Sequence, residues 1–441
     1  MSRSFFSITQ LQAAYRHGFT PRQMIDQLLP RLADDQHGIW ISLNHSDTLY
    51  AYADRLAGVD PASLPLYGIP FAIKDNIDLV DLPTTAGCPD FAYQPSASAF
   101  VVQRLIDAGA IPLGKTNLDQ FATGLNGTRT PYAMARNSID PDYIAGGSSS
   151  GSALAVALGL ASFSLGTDTA GSGRVPAAFN QLIGVKPSCG LLSTRGVVPA
   201  CRSLDCVSIF AQTTDDADAV LRVASQFDAQ DSYSKAFRTE NTADPIRVIG
   251  VPKAKQLQFF GDDAYAALFE QAKAQAIAQG FTLVEIDFGP FLDAAKLLYH
   301  GAWVAERLHA LQGILSSQPD AVLPVIRQIV EPAANLSAVQ TFDGFYQLAA
   351  LKRLADQVLG TVDAIMTPTA GTIYTIDQMQ ADPLALNNNL GYYTNFMNLL
   401  DYAALAIPAG TRADGLPFGI TLFAHAGSDH HLLNAAQQFG A

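Results

Sequence analysis

Two short segments rich in glycine and serine offer hydroxyl nucleophiles on closely approaching backbone. The first is 146-GGSSSGS-152 and the second is 171-GSG-173, and the apolar segment 153-ALAVALGLA-161 lies between them. Glycines on both sides of Ser172 let the backbone adopt unusual dihedral angles and come close to a substrate. A flexible linker would lack an apolar segment of helical length in its middle. The pattern therefore indicates a site built on two loops, with a tight helix-packing motif as the alternative.

A serine nucleophile needs a base, and the sequence offers few candidates nearby. Lys74 ends the apolar segment 66-LYGIPFAIK-74, where burial would disfavour its charged form. A lysine that is kept neutral can take the proton of a serine. The alternative is a salt bridge from Lys74 to Asp75 or Asp78, and the residues alone favour neither interpretation. All eight histidines lie outside residues 46–299, at His17, His37, His45, His300, His309, His425, His430 and His431.

One segment matches a phosphate-binding pattern in an unsuitable context. The string 109-GAIPLGKT-116 fits G-x-x-x-x-G-K-T. A P-loop follows a strand and begins a helix, whereas this segment follows a predicted helix and contains a predicted strand. Pro112 also removes a backbone donor that the loop would need. Because of this context, we expect no nucleotide to bind here. The chain also shows no H-x-x-x-H pattern and no Cys/His cluster, so we expect no metal cofactor.

Length and composition narrow the class of protein. The chain has 441 residues, of which 49% are apolar, which is enough for a large core. Its net charge of −13 argues against binding to nucleic acid phosphates or to anionic membranes. No apolar segment approaches 18 residues, and the N-terminus does not resemble a signal peptide. We therefore expect a cytoplasmic protein. The cysteines form no C-x-x-C pair, and we expect them to stay reduced. They are Cys88, Cys189, Cys201 and Cys206.

Strands and helices alternate along the chain, which predicts an α/β fold with helices on both faces of the sheet. The polar segment 228–245 is interpreted as an exposed connection. Helices are predicted at 7–16, 21–33, 98–108, 214–227, 262–280, 291–312, 319–330 and 338–360, and strands at 39–43, 110–114, 281–286, 363–368, 404–410 and 418–424.

These motifs resemble the amidase signature hydrolases over about residues 60–424. The segments that carry the resemblance are 67-YGIPFAIKDNID-78, 146-GGSSSGSALAVA-157, 166-GTDTAGSGRVPAAFN-180, 184-GVKPSCGLLSTRG-196 and 203-SLD-205. The intervals of 74 residues from Lys74 to Ser148 and 24 from Ser148 to Ser172 are similar to the family's spacing. Ser150 departs from the glycine of many members.

The resemblance implies a role for each residue of a Lys-Ser-Ser triad. Ser172 would be the nucleophile, Ser148 the bridging serine and Lys74 the base. It also implies a mixed central sheet, a cis peptide bond between Gly147 and Ser148, and no cofactor. The backbone amides of Thr169, Ala170, Gly171 and Ser172 can form a nest around a developing oxyanion. Asp168 and Arg174 are interpreted as a structural ion pair that supports this loop.

Three further segments are similar to allophanate hydrolases: 117-NLDQFATGLNGTRTPYAMARN-137, 192-LSTRGVVPACRSLDCVSIFA-211 and 299-YHGAWVAERL-308. Allophanate is a small urea that bears a carboxylate. Tyr299, Trp303 and Arg307 are spaced i, i+4, i+8, which predicts one face of one helix. We expect Arg307 and Tyr299 to hold the carboxylate, with backbone near Gly124 completing the pocket and Trp303 in packing. The alternative is that Arg307 pairs with Glu306 or stacks on Trp303.

The expected organisation is a helical N-terminal segment, 1–60, that packs on a catalytic domain, 61–441. Allophanate hydrolases usually carry a further C-terminal domain, whereas this chain stops at Ala441, as a truncated or a naturally short member would. The resemblance also implies a functional link with a urea carboxylase and is compatible with a homodimer. The competing functions are a different amidase, including the ammonia-producing chain of a glutamine amidotransferase, and a small-molecule binding protein without catalysis.

Overall fold

The computed structural model describes residues 7–237 and 245–440. Part of the predicted connection 228–245 therefore lies outside the described residues. The helices are α1 Ile8–Arg16, α2 Pro21–Leu32, α3 Ser46–Asp54, α4 Phe100–Asp107, α5 Ser150–Ala157, α6 Val175–Phe179, α7 Thr214–Ala224, α8 Asp263–Ala278, α9 Gly289–His300, α10 Ala302–Ser317, α11 Pro324–Val330, α12 Ala338–Leu359, α13 Ile376–Ala381, α14 Ala385–Leu390 and α15 Asp429–Gln438. The strands are β1 Trp40–Leu43, β2 Pro70–Lys74, β3 Ile111–Thr116, β4 Phe163–Asp168, β5 Ile183–Lys186, β6 Cys206–Ala211, β7 Val248–Pro252, β8 Thr282–Ile286, β9 Ala364–Pro368, β10 Tyr402–Thr411 and β11 Pro417–His425.

All of these strands form a single sheet in the order β1-β3-β2-β4-β6-β5-β10-β11-β9-β7-β8. Parallel pairs such as β2–β4 and antiparallel pairs such as β4–β6 both occur, so the predicted mixed α/β sheet is confirmed. The central strands β2 to β6 and β9 are buried at every residue. This burial explains why apolar residues do not simply alternate with polar ones along these strands, since layers of protein cover both faces. The few polar residues lie mainly at the strand ends, as Lys74 and Asp168 do.

The sheet brings together the two chain segments that carry the predicted base and nucleophile. Strands β2 and β4 are parallel neighbours, with Ile73 opposite Leu165. Because parallel strands end at the same edge of a sheet, Lys74 at the end of β2 lies beside Thr167 near the end of β4. The loop that contains Ser172 starts directly after β4 and leads into α6. The topology therefore places both predicted groups at one edge.

Helix α5 anchors both glycine- and serine-rich loops. Each of its eight residues is buried, and all but two are alanine, glycine or serine. Small side chains allow the helix to lie close to the sheet, and it starts two residues after Ser148 and ends six residues before β4. The predicted apolar helix at 153–161 is thus present, although it begins and ends earlier in the chain.

The prediction of one helix over 291–312 is wrong. The chain forms α9 and α10, which are separated at Gly301, a residue with extended backbone (φ −132°, ψ −158°). Glycine is the weakest helix former after proline, so a break at this residue has little local cost. The apolar spacing continues through Gly301, which is why the sequence pattern did not reveal the break. The predicted helix 319–330 is also shorter, because α11 begins only at Pro324.

The N-terminal segment packs on the core and also extends the sheet. Helices α1 and α2 bury residues such as Leu11 and Met24 in the main hydrophobic cluster. Thr20 caps α2, with Pro21 in the first turn. Strand β1 pairs antiparallel with β3. Residues before 60 therefore contribute an edge strand in addition to helices.

Candidate active site

Lys74 and Ser148 are in direct contact. The side chain of Lys74 is fully buried, and its Nζ lies 2.8 Å from Ser148 Oγ and 2.7 Å from Thr167 Oγ1. The two oxygens belong to different segments. Thr167 lies on β4, which pairs with β2, and Ser148 lies in the loop before α5. The predicted base is therefore hydrogen-bonded to hydroxyl groups and not to a carboxylate.

The salt bridge considered for Lys74 is absent from the described residues. Asp75 pairs instead with Lys115, whose Nζ lies 2.9 Å from the carboxylate, and both side chains are fully buried. Asp78 accepts hydrogen bonds from two neighbouring hydroxyl groups. Lys115 is the lysine of the P-loop-like pattern, and it lies within β3. That segment has the geometry of a buried strand, which is not the loop that cradles a phosphate.

Burial lowers the pKa of Lys74 to about 7, against the opposing influence of Asp119, Asp205 and Asp168. The cause is desolvation, which disfavours the ammonium form in a buried site. A pKa near 7 leaves a large fraction of Lys74 neutral at physiological pH. The free electron pair of the neutral amine can then accept the proton of Ser148 Oγ.

Asp119 organises the loop that faces Ser148. Its carboxylate accepts hydrogen bonds from the N–H groups of Asn126, Gly127 and Arg129 at 2.9–3.2 Å. Its own N–H donates to the carbonyl of Ser148 at 3.1 Å. A side chain in place of glycine at position 147 would collide with the Asp119 carboxylate. The peptide between Gly147 and Ser148 is cis, as the resemblance implied.

Asp168 supports the loop that carries Ser172. Its carboxylate accepts from the N–H groups of Gly171 (2.8 Å) and Gly173 (3.1 Å), and it pairs with Arg174 at 2.8 Å. Asp168 and Arg174 are both fully buried, so they are the structural ion pair that the sequence suggested. Gly171 has a φ of +131° and packs against Thr394, so a side chain there would be both strained and obstructed.

Ser172 lies at the centre of the site and is 2% exposed. Its Oγ donates to the carbonyl oxygen of Gly124 at 3.3 Å. Among the described residues Ser148 and Ser172 are not hydrogen-bonded to each other. The contact with Gly124 nevertheless places the 121–127 loop directly over the predicted nucleophile.

The backbone N–H groups predicted to bind the oxyanion differ in whether they already have a hydrogen-bond acceptor. The N–H groups of Thr169 and Ala170 have no acceptor among the described residues, and neither has that of Ser172. The N–H of Gly171 donates to Asp168, so this amide is already engaged. Thr169 and Ala170 are therefore the donors most available to a ligand.

Asp205 holds the side chain of Thr169 in place through a hydrogen bond. The Thr169 hydroxyl donates to its carboxylate at 2.5 Å, and the N–H groups of Ala200 and Cys201 donate to the same carboxylate. Burial raises the pKa of Asp205 to about 6, while these hydrogen bonds oppose the shift. At neutral pH Asp205 is consequently an acceptor that holds the predicted oxyanion loop in place.

Arg307 and Tyr299 meet, although they belong to different helices. Tyr299 is near the end of α9 and Arg307 is in α10, so the predicted single helix face is replaced by a corner at Gly301. The guanidinium carbon of Arg307 lies 5.4 Å from the centre of the Tyr299 ring. Trp303 is 2% exposed and packs edge-to-face on Phe345, in agreement with its predicted packing role.

Arg307 is buried without a carboxylate partner. It is 1% exposed, and its Nη1 donates to the hydroxyl of Thr123 at 3.3 Å. Its Nε finds no acceptor among the described residues. Glu306 does not pair with Arg307, because its carboxylate accepts from the backbone and hydroxyl of Ser203 at 2.7 and 2.6 Å. Arg307 therefore does not pair with Glu306, and the ring over which its guanidinium lies is that of Tyr299 and not Trp303.

A second buried arginine meets Arg307 at the same residue. Arg129 donates to the carbonyl of Thr123 at 2.9 Å and to that of Pro383 at 2.6 Å. Its Nε also lacks an acceptor, and no carboxylate of the described residues forms an ion pair with its side chain. Two guanidinium groups therefore converge on Thr123, one residue from the Gly124 carbonyl that contacts Ser172.

The described part of the chain has neither a cluster of metal-ligating side chains nor a membrane-spanning helix. Residues 7–237 and 245–440 contain no group of three or more His, Cys, Asp or Glu side chains arranged for a metal ion. No helix in the same ranges has the length and apolar character needed to cross a bilayer.

Four residues of the site had no predicted role: Asp119, Arg129, Thr167 and Asp205. All four lie inside segments that carry the resemblance, so the sequence held a regional signal. No spacing rule singled them out, because their roles come from contacts between distant segments. Arg129 and Pro383, for example, are 254 residues apart in the chain.

Comparisons with known proteins agree with this geometry. The family model described as Amidase matches residues 29–433. Urea amidolyase of Saccharomyces cerevisiae is 43% identical over 438 residues, which cover 96% of this chain and 24% of the yeast protein. A glutamyl-tRNA(Gln) amidotransferase protein of Methanosarcina acetivorans is 34% identical, with coverage of 85% of this chain and 84% of that protein.

Among solved structures, Kluyveromyces lactis allophanate hydrolase superimposes with a TM-score of 0.94 at 40% identity, over 99% of this chain and 73% of that one. This chain spans about a quarter of the length of the urea amidolyases that it matches. The family match covers most of the chain and includes every residue of the site described above. The chain therefore belongs to the amidase family and is an amidohydrolase, an enzyme that acts on amide C–N bonds.

Proposed function

We propose that this chain hydrolyses allophanate, releasing ammonia through an acyl-enzyme on Ser172. The observation that carries the proposal is Arg307, a buried arginine without a carboxylate partner, which lies beside the loop that contacts Ser172. Burying a guanidinium that no carboxylate contacts directly is costly, and Asp205 and Glu306 act on Arg307 only through space. A substrate carboxylate would supply a direct counter-charge, and a planar guanidinium can bind it through two parallel hydrogen bonds.

Arg129 strengthens the same proposal. Its guanidinium adds a second positive charge near Thr123, and hydrogen bonds to two backbone carbonyls hold it in place. Tyr299, over which the Arg307 guanidinium lies, offers a hydroxyl as a further donor. A small anionic urea fits such a site, whereas a neutral aliphatic amide would leave both arginines without a counter-ion.

The contact between Lys74 and Ser148 supports the following catalytic steps. Neutral Lys74 takes the proton of Ser148, while Ser148 takes the proton of Ser172, whose Oγ attacks the carbonyl carbon that bears the terminal amine. For this transfer the Ser172 hydroxyl must turn away from the Gly124 carbonyl and towards Ser148. The proton then passes through Ser148 to the leaving nitrogen, and ammonia departs. Water repeats the relay and releases the acid from Ser172.

The developing negative charge on the carbonyl oxygen needs fixed donors. Thr169 and Ala170 offer free N–H groups for this oxygen, and Gly171 can contribute if its hydrogen bond to Asp168 is shared. Such preorganised donors are worth about 2.7–4 kcal/mol each in acyl-transfer enzymes.

The names of the relatives support allophanate as the substrate and point to a second enzyme that would produce it. Both the urea amidolyases and the allophanate hydrolase structure carry names that refer to urea or its carboxylated derivative. Allophanate is urea with an added carboxyl group, so we propose a functional link with a urea carboxylase. A cytoplasmic location and a homodimer remain proposals.

A panel of substrates tests the function. Ammonia release is measured with allophanate, glutamine and a simple aliphatic amide at matched concentrations. We expect allophanate to have the highest kcat/KM by a wide margin. A preference for glutamine would assign the chain to the amidotransferase type of activity, and the absence of turnover with all three would favour a binding protein.

A further inference from the structure

Two cysteines outside the catalytic triad lie within reach of each other. Cys206 Sγ is 3.6 Å from Cys189 Sγ, at the start of β6 and in the turn after β5 respectively. Cys206 is buried, whereas Cys189 is partly exposed, and both thiols are free. The other two cysteines contact backbone carbonyls elsewhere, Cys88 near Ala321 and Cys201 near Trp303. The chain thus has one close thiol pair with one accessible member.

A buried lysine without a carboxylate partner lies beside this pair. Lys186 is fully buried, its Nζ donates to the carbonyl of Pro187 at 2.6 Å, and it lies 3.8 Å from Cys206 Sγ. Burial opposes its charge, but the sulfurs of Cys206 and Cys189 raise its pKa above the ordinary value. No carboxylate among the described residues forms an ion pair with it. A thiolate in the pair would provide the missing counter-charge.

The two sulfurs have unequal roles. Cys206 donates its S–H to Cys189, and this hydrogen bond, together with the nearby Lys186, lowers the pKa of Cys189, although burial acts in the opposite direction. The pKa of Cys206 is raised well above its usual range by the same interaction and by burial. The partly exposed Cys189 therefore has the character of an attacking thiolate, and Cys206 that of a protected second thiol.

We propose that Cys189 and Cys206 form a redox-active thiol pair that reacts with low-molecular-weight disulfides such as oxidised glutathione. The Cys189 thiolate attacks one sulfur of the disulfide, forms a mixed disulfide and releases one thiol molecule. Cys206 then loses its proton and attacks the Cys189 sulfur, which breaks the mixed bond and releases the second thiol molecule. The protein loses two hydrogens as a Cys189–Cys206 bond forms, and the small disulfide is reduced to two thiols.

The bond would alter the surroundings of the catalytic loop. The sulfurs would have to approach to about 2.05 Å, which draws the turn after β5 towards the start of β6. Cys206 is paired with Asp168 across β4 and β6. The preceding residue, Asp205, holds Thr169. We therefore expect the linked form to turn over substrate more slowly.

Peptide mass spectrometry tests the pair directly. The full chain is incubated with excess oxidised glutathione, the remaining thiols are blocked, and trypsin is added without reductant. Cys189, Cys201 and Cys206 fall in separate tryptic peptides, 175–195, 196–202 and 203–222. We expect a linked 175–195/203–222 species that dithiothreitol separates. Because a displacement of about 1 Å near the chemistry can cost up to a hundredfold, the rate of ammonia release should fall by roughly tenfold and recover with dithiothreitol.

Single variants keep the assignment falsifiable. Cys206→Ser should stop the reaction at a stable glutathione adduct on Cys189, and Cys189→Ser should abolish the cross-link. The matched control, Cys201→Ser, should form the cross-link as the parent does. Separate glutathione adducts on Cys189 and Cys206, a link to Cys201, or unmodified thiols would overturn the proposal. If the cross-link formed completely and the rate of ammonia release stayed unchanged, the proposed effect of the disulfide on the catalytic loop would be wrong.

Discussion

The two halves of the site handle buried positive charge in opposite ways. At the catalytic end, Lys74 lies against two hydroxyl groups, and burial lowers its pKa to about 7. At the other end, Arg307 and Arg129 are equally buried, yet an arginine side chain stays protonated in proteins. Neither finds a carboxylate partner among the described residues. A lysine can shed its charge to become a base, whereas an arginine keeps its charge and needs an anion.

This difference separates general chemistry from specificity. In the proposed mechanism the lysine and the two serines would act on any amide, and the same chemistry would serve the whole family. Arg307 and Arg129, the arginine end of the site, would contribute to binding only if the substrate carries a negative charge. Variants at the catalytic end should therefore lower the rates on all amides, while variants at the arginine end should discriminate between charged and neutral substrates.

The largest effect is expected from Ser172→Ala. Removal of the proposed nucleophile should lower kcat on the order of 10³-fold or more for charged and neutral amides alike. Ser150→Ala is the matched control, since Ser150 only weakly contacts the Asn117 carbonyl at 3.5 Å, and it should retain the parental rate. A serine-directed phosphonate should label Ser172 in the parent. Near-parental turnover by Ser172→Ala would place the nucleophile elsewhere.

Lys74→Met should lower kcat by about 10²- to 10³-fold on both kinds of substrate. Only the neutral amine can act as a base, so the parental kcat/KM should rise with pH through a pKa near 7 and level off above it. The measurement is a pH profile of ammonia release for both proteins, with Lys115→Met as a lysine control whose partner is Asp75. If Lys74→Met kept the parental profile, the base would be another group.

Arg307→Ala should be selective. Hydrogen bonds to a charged group contribute about 1.5–3 kcal/mol each, so kcat/KM for allophanate should fall on the order of ten- to more than a hundredfold. Hydrolysis of a neutral amide should change far less. Arg307→Lys, which keeps the charge but not the planar fork, should lie between the two. Equal losses on both substrates would indicate a structural role and remove the distinction between the two ends.

Thr169→Val should have the smallest effect of the four. The hydroxyl that donates to Asp205 is lost, but the backbone N–H proposed for the oxyanion remains. We expect kcat to fall by about tenfold or less, with KM nearly unchanged, and Thr169→Ser to restore it. A rise in KM with unchanged kcat would mean that Thr169 contributes to substrate binding and not to the transition state.

The two ends also differ in how far the sequence predicted them. Lys74, Ser148 and Ser172 lie in recognisable motifs, and the parallel pairing of β2 with β4 brings Lys74 beside the strand that leads to Ser172. The contact between Lys74 and Ser148 agrees with the pattern, whereas the contact of Ser172 with Gly124 did not follow from it. Arg307 and Tyr299 were identified, but the corner between their helices was not, because the helical spacing continues through Gly301 while the backbone does not.

The contacts missed by the sequence interpretation are long-range ones. Arg129 depends on a carbonyl at Pro383, and Asp205 depends on a hydroxyl at Thr169. Local propensity and spacing carry no information about such pairs. Asp119 was overlooked for a related reason, since its role appears only when the 124–129 loop folds back over Ser148.

The most direct test of the account is a crystal structure of Ser172→Ala soaked with allophanate. We predict that the substrate carboxylate lies within hydrogen-bond distance of the Arg307 guanidinium and Tyr299, that the amide carbonyl oxygen faces the N–H groups of Thr169 and Ala170, and that the carbonyl carbon lies above residue 172. A carboxylate bound away from Arg307, with the arginine still unpaired, would contradict the central claim that this buried charge selects the substrate.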